Sequence, residues 1–336
     1  MNFDLTDYQR AIQRTARDFL AAGYKPEEIR RLAYETDRGF TDEGWQRICE
    51  LGWPALLVDE EHGGLGLGVV ELAVVQEELG AALAPSPFLS TIAAAALIAD
   101  AGSDEQRARW LPGLAAEEAR GTVATLRDGG GWSAVPDADG ADVVVLRDGD
   151  GWAVADGTGV SAEPAQALDP TRRLWSIEVG GEREPLPGDG ARAADVIAVA
   201  LAAESVGVAQ RTLDMAVAYA KEREQFGRPI GAYQAVSHAC AQMLLEVEGA
   251  RSTTLYAAWA LDHEPESGPL AASMAKAYAS DAGWRVPAAA LQVHGGIGFT
   301  WEHDLHLWLK RGKANAYLWG DAREHRTRVA ALIGLD

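Results

Sequence analysis

Two motifs in the C-terminal half of the chain combine residue types that can bind a flat, phosphate-bearing ligand. The first, Arg223-Glu-Gln-Phe-Gly-Arg-Pro-Ile-Gly-Ala-Tyr-Gln234, connects the two longest predicted helices. An arginine at a helix end can grip a pyrophosphate through two parallel N–H groups, and Phe226 could cover a flat ring. The alternative interpretation is a solvated turn with one buried phenylalanine.

The second motif, Gln292-Val-His-Gly-Gly-Ile-Gly-Phe-Thr300, lies where a long helix must end. Two adjacent glycines, Gly295 and Gly296, let a backbone approach a bulky ligand closely, and the Gln292 amide supplies both a donor and an acceptor. A plain helix C-cap explains the glycines equally well. The two motifs together, Arg, Phe and Gln followed by Gln-x-x-Gly-Gly, form a more specific combination than either alone.

Two other clusters lack the residue spacing that a nucleotide-binding loop or a metal site would need. Residues His62 to Gly68 read His-Gly-Gly-Leu-Gly-Leu-Gly, which is not Gly-x-Gly-x-x-Gly and follows no strand, so we expect a loop between two helices. The cluster of Glu302, His303 and His306 does not offer three clear metal ligands, and the chain has only two cysteines. No metal site is therefore predicted.

The composition is that of an acidic globular protein. The 336 residues carry a formal net charge of −20, with 48% hydrophobic and 24% charged residues. Such a surface repels a phosphate backbone and an anionic membrane, which disfavours nucleic-acid and membrane partners. The N-terminal segment does not resemble a signal peptide, and the apolar run at 92–101 is too short to span a bilayer. With no disulfide framework, a cytoplasmic location is expected.

The elements that must position the two motifs are long helices. Helical patterns dominate both ends of the chain, whereas glycine, aspartate and proline are dense in the middle, where two short apolar runs at 143–146 and 152–155 predict a hairpin. We predict an N-terminal α-helical domain at 1–120, a reduced middle β domain at 121–190 and a C-terminal helical bundle at 191–336. The predicted helices span about 7–22, 45–51, 69–83, 88–101, 104–111, 194–224, 232–261 and 269–292.

The two motifs closely resemble the C-terminal domain of acyl-CoA dehydrogenases, and LGWPALLVDEEHGGLGL resembles their N-terminal domain. The resemblance covers nearly the whole chain. It implies a mainly α fold with a small β domain and a C-terminal four-helix bundle, FAD as cofactor, an acyl-CoA substrate and an electron-transfer flavoprotein as acceptor. In the family, seven positions touch the FAD of a neighbouring subunit, and their counterparts here are Arg223, Gln225, Phe226, Gln234, Gln292, Gly295 and Gly296.

The catalytic base of the family has no counterpart at either of its two usual positions. Family members remove an α-proton from the acyl-CoA with a carboxylate while a β-hydride passes to the flavin. The resemblance places Trp319 at one base position and Ile197 at the other, and neither side chain can take a proton. The loop that lines the isoalloxazine ring in the family also has no recognisable match between Gly121 and Gly190.

Four carboxylates nearby are candidates for a substitute base. Asp321 and Asp195 each lie two residues from a lost position, so each would need the backbone to shift before it faced the same side. Glu204 and Glu248 lie within long helices, and we expect them to form buried ion pairs.

The run HGGIGFTWEHDLHLWLKR particularly resembles the shorter, base-lacking subunits of actinobacterial α2β2 steroid side-chain acyl-CoA dehydrogenases. That resemblance implies a heterotetramer in which a second acyl-CoA dehydrogenase chain supplies the base and this chain completes the FAD site. The implied substrate is a steroid side-chain CoA thioester. Two alternatives stay open: a self-sufficient homo-oligomeric dehydrogenase with a relocated carboxylate, and a non-redox scaffold subunit.

Overall fold

The computed structural model describes residues 4–116, 119–125, 127–128 and 131–335. The described residues form eleven α-helices: α1 Asp7–Gly23, α2 Pro26–Glu35, α3 Asp42–Glu50, α4 Val69–Ala82, α5 Phe88–Ala101, α6 Asp104–Ala115, α7 Ala191–Glu222, α8 Gln234–His263, α9 Gly268–His294, α10 Leu305–Asn315 and α11 Ala322–Leu332. They also form ten strands: β1 Gly121–Ala124, β2 Arg127–Asp128, β3 Gly131–Pro136, β4 Val143–Asp148, β5 Gly151–Asp156, β6 Val160–Ala165, β7 Leu174–Val179, β8 Glu184–Leu186, β9 Glu224–Gln225 and β10 Arg228–Pro229. The mainly α fold with a small β region is thereby confirmed.

Helix starts follow the capping residues of the sequence. The Thr6 hydroxyl accepts a hydrogen bond from the Gln9 backbone N–H at 3.2 Å, and the Gln9 side chain accepts one from the Thr6 N–H at 2.9 Å. Ser103 and Gln106 form the same reciprocal pair at the start of α6. Each pair satisfies two backbone donors that a helix terminus leaves without an intrahelical partner.

The strands between α6 and α7 build two four-stranded sheets. One has the order β1-β4-β5-β8 and the other the order β2-β3-β7-β6, and within them only β1 and β4 run parallel. The predicted hairpin is present as β4 and β5, with Asp148 paired to Gly151 and Gly149 at φ 63° in the turn. Buried side chains from both sheets share one apolar core, which includes Trp132, Trp175 and Ile177.

Helices α7, α8, α9 and α10 share a second apolar core, as expected for a helical bundle. Its buried residues are Ala209, Leu213, Ala216, Met243, Val247, Val286, Ala290, Leu291 and Leu305. The predicted bounds of α7, α8 and α9 differ from the observed ones by at most three residues.

Two glycines let α7 and α4 cross at very short range. A Cβ atom at Gly207 would overlap the carbonyl oxygen of Glu77, and one at Gly80 would overlap the carbonyl oxygen of Glu204. Glycine is otherwise unfavourable in a helix interior. At these two positions it lowers the helix propensity but allows the two backbones to come into contact.

The two glutamates predicted to form buried ion pairs have different environments. Glu204 pairs with Arg311 at 2.6 Å, with 2% and 3% of the side chains exposed, so the prediction is confirmed for Glu204. Glu248 also pairs with an arginine, Arg251, but 54% of its side chain is exposed. Burial was the wrong expectation for Glu248, because its position on α8 faces outward while its neighbour Val247 faces the core.

The described residues divide into two compact units. One contains the described residues up to Pro26 together with Ala73–Ala84 and the residues from Ala198 onward; the other contains Glu27–Leu72 and Pro85–Ile197. The predicted domain boundaries near 120 and 190 stay a prediction.

Helix α7 is long and apolar enough to cross a membrane by length and composition alone. However, 89% of its apolar window is buried inside the folded chain, the environment of a core helix in a globular protein.

Candidate functional site

A tight hairpin follows α7 and carries half of the first motif. Strands β9 and β10 pair Gln225 with Arg228, which leaves Phe226 and Gly227 as the two turn residues at φ 54° and 79°. A two-residue hairpin turn of this kind needs positive φ at both central positions, which glycine adopts easily and phenylalanine only with strain. Phe226 is 94% exposed, so the alternative of a buried phenylalanine is wrong.

The hairpin is held by its own residues. The Tyr233 hydroxyl donates a 3.0 Å hydrogen bond to the Gln225 carbonyl oxygen, and the Arg228 guanidinium lies 4.1 Å from the centre of the Tyr233 ring. The Ile230 N–H donates to the carbonyl oxygen of Arg223 at 2.8 Å, which ties the return strand to the end of α7. The position of Arg223 at the start of the hairpin is therefore fixed by backbone contacts.

The second motif forms the end of α9. His294 is the last residue of the helix, and Gly295 follows with φ 62°. A Cβ atom at Gly295 or Gly296 would meet no atom within 4 Å, so the backbone of this loop borders open space. The His294 Nδ1–H donates to the Ala290 carbonyl oxygen at 2.7 Å, because a carbonyl can only accept. The His294 ring is stacked on Tyr219, with centroids 4.6 Å apart.

The two motifs meet around an open pocket of about 440 Å³. Residues of α7, the hairpin, α9 and the loop after it line this pocket: Tyr219, Arg223, Gln225, Ile230, Val293, His294, Gly296 and Ile297. The structure thus brings Arg223, Gln225 and Gly296 together from positions about 70 residues apart.

The other four predicted residues do not line the pocket. Phe226 stands at the tip of the hairpin, Gln234 is the exposed first residue of α8, Gln292 is exposed near the end of α9, and Gly295 lies beside the lining residue Gly296.

Sequence reasoning missed five residues of the pocket, two of which are the aromatic residues Tyr219 and His294. Tyr219 lies one helical turn before Arg223, and His294 lies inside the Gln-x-x-Gly-Gly motif. The spacing alone could have placed Tyr219 on the pocket side, since residues four apart on a helix share a face. Their stacking across 75 residues of sequence, however, appears only in the structure.

The pocket residues suit an anionic ligand that carries a flat ring. Arg223 is exposed, and among the described residues no carboxylate pairs with its guanidinium, although the chain carries a net charge of −20. An arginine without an acidic partner retains its full capacity for a bidentate phosphate contact. The open backbone at Gly296 and the Tyr219 ring supply room and apolar surface beside it.

The turn at Trp319 occupies the position at which the sequence predicted a lost base. Trp319 has φ 61° and Gly320 φ 89°, so the chain passes through two left-handed residues. His325 Nε2–H donates to the Trp319 carbonyl oxygen at 3.0 Å, and Lys276 Nζ donates to that of Gly320 at 2.9 Å. The turn is thus braced from two sides, and burial lowers the pKa of Lys276 to about 7.

The neighbouring carboxylate of Asp321 serves as the N-cap of α11. Its Oδ1 accepts the backbone N–H groups of Arg323 and Glu324, both at 2.8 Å. The hydrogen bond from Glu324 is the main reason that the pKa of Asp321 lies below its usual range. A carboxylate held in this way is a weak proton acceptor. Ile197, at the second predicted base position, is buried.

Comparison with known proteins decides the family. The acyl-CoA dehydrogenase N-terminal domain matches residues 6–118, and the acyl-CoA dehydrogenase C-terminal domain matches residues 192–333. This chain belongs to the acyl-CoA dehydrogenase family. It is 38% identical over 328 residues to acyl-CoA dehydrogenase IpdE2 of Mycobacterium tuberculosis, a match that covers 97% of each chain.

Solved structures of acyl-CoA dehydrogenases share the fold. A chain of the Tcur3481–Tcur3483 steroid acyl-CoA dehydrogenase, in its G363A variant, superposes with a TM-score of 0.88 at 30% identity over 98% of both chains. A chain of the ChsE4–ChsE5 complex from Mycobacterium tuberculosis has a TM-score of 0.91 at 25% identity over the whole of both chains. The family is one of oxidoreductases whose members bind FAD, and the predicted resemblance to the steroid-type enzymes is confirmed.

Proposed function

We propose that this chain is a subunit of a heteromeric, FAD-dependent acyl-CoA dehydrogenase, in which it contributes FAD contacts across a subunit interface and a partner chain supplies the catalytic base. The observation that carries the proposal is an asymmetry between two sites of one chain. In the pocket, no described carboxylate pairs with Arg223, so its guanidinium can bind an anionic ligand. At the family's base position, by contrast, the turn carries Trp319 in place of a carboxylate.

The binding side of the proposal assigns a role to each pocket element. Arg223 would contact the pyrophosphate of FAD, and the Gln225 amide would contact polar groups of the same cofactor. The open backbone at Gly296 would allow FAD to approach the chain closely. Phe226 already stands in solvent, where it can cover a ring held by another chain. We extend the same role to Gln234, Gln292 and Gly295 on the family resemblance. When bound, FAD supplies the hydride acceptor for α,β-desaturation.

The chemical side of the proposal follows from the residues near Trp319. An indole cannot accept the α-proton of an acyl-CoA, and Asp321 already accepts two backbone hydrogen bonds. Under the proposal, the proton goes to a carboxylate of a second chain.

The named relatives support the partner and the substrate class. Two similar structures carry two-component names, the ChsE4–ChsE5 complex and the Tcur3481–Tcur3483 steroid acyl-CoA dehydrogenase. By that analogy we propose an α2β2 heterotetramer with a second acyl-CoA dehydrogenase chain, a steroid side-chain CoA thioester as substrate and an electron-transfer flavoprotein as acceptor.

Flavin content tests the composite site. The chain is expressed alone and together with a second dehydrogenase chain, and the ratio of bound FAD to protein is determined after purification. We expect little flavin on the chain alone and about one FAD per pair of chains after co-expression. About one FAD per chain in the absence of any partner would contradict the proposal and favour the self-sufficient enzyme.

The Arg223→Ala variant separates a FAD-binding subunit from a scaffold. We expect the variant complex to lose FAD, because the guanidinium is the cation that the described pocket residues offer to a pyrophosphate. Lys221→Ala is the matched control, since Lys221 is an exposed cation two residues before Arg223 that does not line the pocket. Unchanged flavin content in Arg223→Ala would favour the non-redox scaffold.

The Asp321→Asn variant tests the relocated base. Asparagine caps a helix about as well as aspartate, so α11 should form normally. Under the proposal the turnover of the complex is unchanged, whereas a self-sufficient enzyme that used Asp321 as its base would lose activity by several orders of magnitude.

A further inference from the structure

Helices α9, α10 and α11 carry an excess of positive charge in an otherwise acidic chain. The segment from Leu305 to Ile333 contains six basic and two acidic residues, whereas the whole chain contains 30 basic and 50 acidic residues. One of the six, Arg311, is buried in its ion pair with Glu204, and the other five lie nearer the surface. The chain therefore repels anionic molecules over most of its surface and attracts them here.

Two lysines of α10 are held by aromatic rings. Lys310 and Lys313 lie three residues apart and therefore point to the same side of the helix. The Lys310 Nζ lies 4.9 Å from the centre of the Trp301 ring. The Lys313 Nζ lies 4.3 Å from the centre of the Trp284 ring on α9 and 5.2 Å from that of Tyr317. Within the described part of the chain no carboxylate pairs with either lysine, so their ammonium groups can donate to an acceptor on another molecule.

The positive surface continues from α10 onto α9 and α11. Asp281, Trp284 and Arg285 share one face of α9, because they are three and four residues apart. Asp281 pairs with Arg285 at 3.4 Å and also with Arg326 of α11. The two arginine side chains are 55% and 58% exposed and share this single carboxylate, so the positive charge is in excess here too. We define the basic ridge as Arg285, Trp301, Lys310, Lys313, Tyr317 and Arg326.

Two exposed aromatic side chains accompany the cations of the basic ridge. Trp301 is 64% exposed and Tyr317 is 62% exposed. Each ring also contacts a lysine, which restricts its orientation before any partner arrives. Tryptophan, tyrosine and arginine are the residues that most often dominate the binding energy of protein interfaces. The basic ridge thus offers apolar anchors as well as cations.

The charge of the basic ridge indicates what kind of molecule it meets. A two-fold contact with a second copy of this chain would set lysines and arginines against the same residues, which repel one another. A single small anion is bound best by cations that converge on one point, whereas these cations are distributed over three helices. That distribution suits carboxylates spaced along a polypeptide.

The lysines favour a partner that binds and leaves again. Permanent interfaces are more hydrophobic than transient ones, and lysine is depleted in interfaces because its ammonium group is strongly hydrated. Opposite charges on two separate proteins accelerate their encounter without requiring a large buried area. The basic ridge has two lysines and two exposed arginines, the composition of such an encounter surface.

We infer that the basic ridge is a docking surface for an acidic segment of another protein that binds transiently. Aspartate and glutamate side chains of that segment pair with Lys310, Lys313 and the arginines, and an apolar side chain of the segment covers Trp301. The basic ridge shares no residue with the Arg223 pocket, and the inference does not rest on the proposed function.

A defined acidic peptide tests the charge complementarity. The probe is a fluorescent peptide of glutamate residues with leucine at every fourth position, and the same peptide with glutamine for glutamate is its control. We expect the full chain to bind the glutamate peptide, with an affinity that falls as salt is added. Lys310→Glu combined with Lys313→Glu should weaken binding about tenfold or more. Lys25→Glu, which removes an exposed cation elsewhere, should change it less than about twofold.

Two further variants separate charge from fold and from apolar contact. Lys310→Gln combined with Lys313→Gln removes the charges without adding acidic groups and should weaken binding less than the glutamate variant does. Trp301→Ala changes a mostly exposed side chain, so the melting temperature should stay close to that of the wild type. It should weaken binding of the leucine-containing peptide more than that of a peptide with glycine in place of leucine.

Carbodiimide cross-linking identifies what the basic ridge contacts in a cell extract. The reagent joins an amine directly to a carboxylate, so it reports only pairs that touch. We expect peptides in which Lys310 or Lys313 is linked to an aspartate or glutamate of a protein that does not co-purify with the chain. Added salt should abolish these links, because the contact is electrostatic.

Four results would overturn the inference. The first is equal peptide binding by the Lys25→Glu chain and the chain with both lysines reversed. The second is displacement of the peptide by an equal concentration of inorganic pyrophosphate, which would indicate a phosphate site. The third is cross-links that lead only to a second copy of this chain or to a chain that co-purifies with it, which would indicate a permanent interface. The fourth is a wild-type chain that forms no cross-link from either lysine.

Discussion

The Lys276 Nζ donates a 2.9 Å hydrogen bond to the carbonyl oxygen of Gly320, which ties the interior of α9 to the turn that carries Trp319. The same nitrogen donates to the Ser280 hydroxyl at 2.9 Å and to the Asn315 carbonyl oxygen at 3.1 Å. All three donors of the ammonium group are thus used, yet every acceptor is neutral. Desolvation therefore dominates and lowers the pKa of Lys276 to about 7, despite the opposing effect of Asp321 and Glu324.

The first prediction concerns the pH dependence of stability. Between about pH 7 and 10.5 the unfolded chain binds a proton at Lys276 that the folded chain has released, so the free energy of unfolding rises with pH in this window. Lys276→Met should reduce this slope by up to about 1.4 kcal/mol per pH unit. Urea unfolding across the window measures it, with the exposed Lys221→Met as control. Equal slopes in wild type and Lys276→Met would refute the assignment.

The second prediction concerns the buried ion pair between Arg311 and Glu204. Arg311→Met should lower the free energy of unfolding by about 3–5 kcal/mol, because it leaves a carboxylate in the core without its cation. Adding Glu204→Gln should recover part of that loss. Denaturant unfolding of the two single variants and the double variant gives the coupling energy. The partly exposed pair of Arg31 and Glu28 is the control, and Arg31→Met should cost no more than about 1 kcal/mol.

The third prediction sets stability against function at Phe226. Asparagine tolerates positive φ better than phenylalanine, and the ring packs only edge-on against Tyr233 with centroids 6.5 Å apart. Phe226→Asn should therefore leave the chain equally stable or up to about 1 kcal/mol more stable. Under the proposed function the same variant should weaken FAD retention by the complex. Thermal unfolding and flavin content are measured on one preparation, and unchanged flavin content would remove Phe226 from the cofactor site.

The fourth prediction concerns the crossing of α4 and α7. Gly207→Ala would push a methyl group into the Glu77 carbonyl oxygen, so the helices must separate, at a cost of about 1–3 kcal/mol or more. Gly113→Ala is the matched control, since Gly113 also lies in a helix but its Cβ would meet only Ala119 at an ordinary 3.5 Å. The control should be neutral or stabilising, because alanine is the better helix former. Melting temperatures of the two variants decide between these outcomes.

The sequence predicts the long, uninterrupted helices better than any other part of the fold. The bounds of α5 were predicted without error, and those of α9 within two residues, because prolines or glycines mark the ends of both. Helices α2, α10 and α11 were missed, because ten or eleven residues give a weak periodic signal. The nine-residue α3 was found through the helical spacing of Trp45 and Ile48, whereas the equally regular Ile29, Leu32 and Ala33 of α2 were overlooked.

The candidate site was predictable in composition but not in arrangement. Arg223, Gln225 and Gly296 were all predicted, since each lies in a recognisable motif. The stacking of Tyr219 on His294 was not, because it depends on the crossing of α7 and α9, and one sequence does not specify a crossing angle. Likewise, Glu204 is buried and Glu248 is exposed because the packing of the helices decides which side of each helix faces the core.

The exposed Phe226 ring also bears on how long the isolated chain survives in a cell. The ring is 94% exposed on a strained turn, and it adds to the apolar surface that an unassembled chain leaves in water, where chaperones and proteases act. Under the proposed function, a chain made in excess of its partner would keep that ring uncovered until another molecule shields it. We therefore expect the steady-state amount of this protein to depend on the amount of the molecule that covers the hairpin, because copies that stay uncovered are degraded.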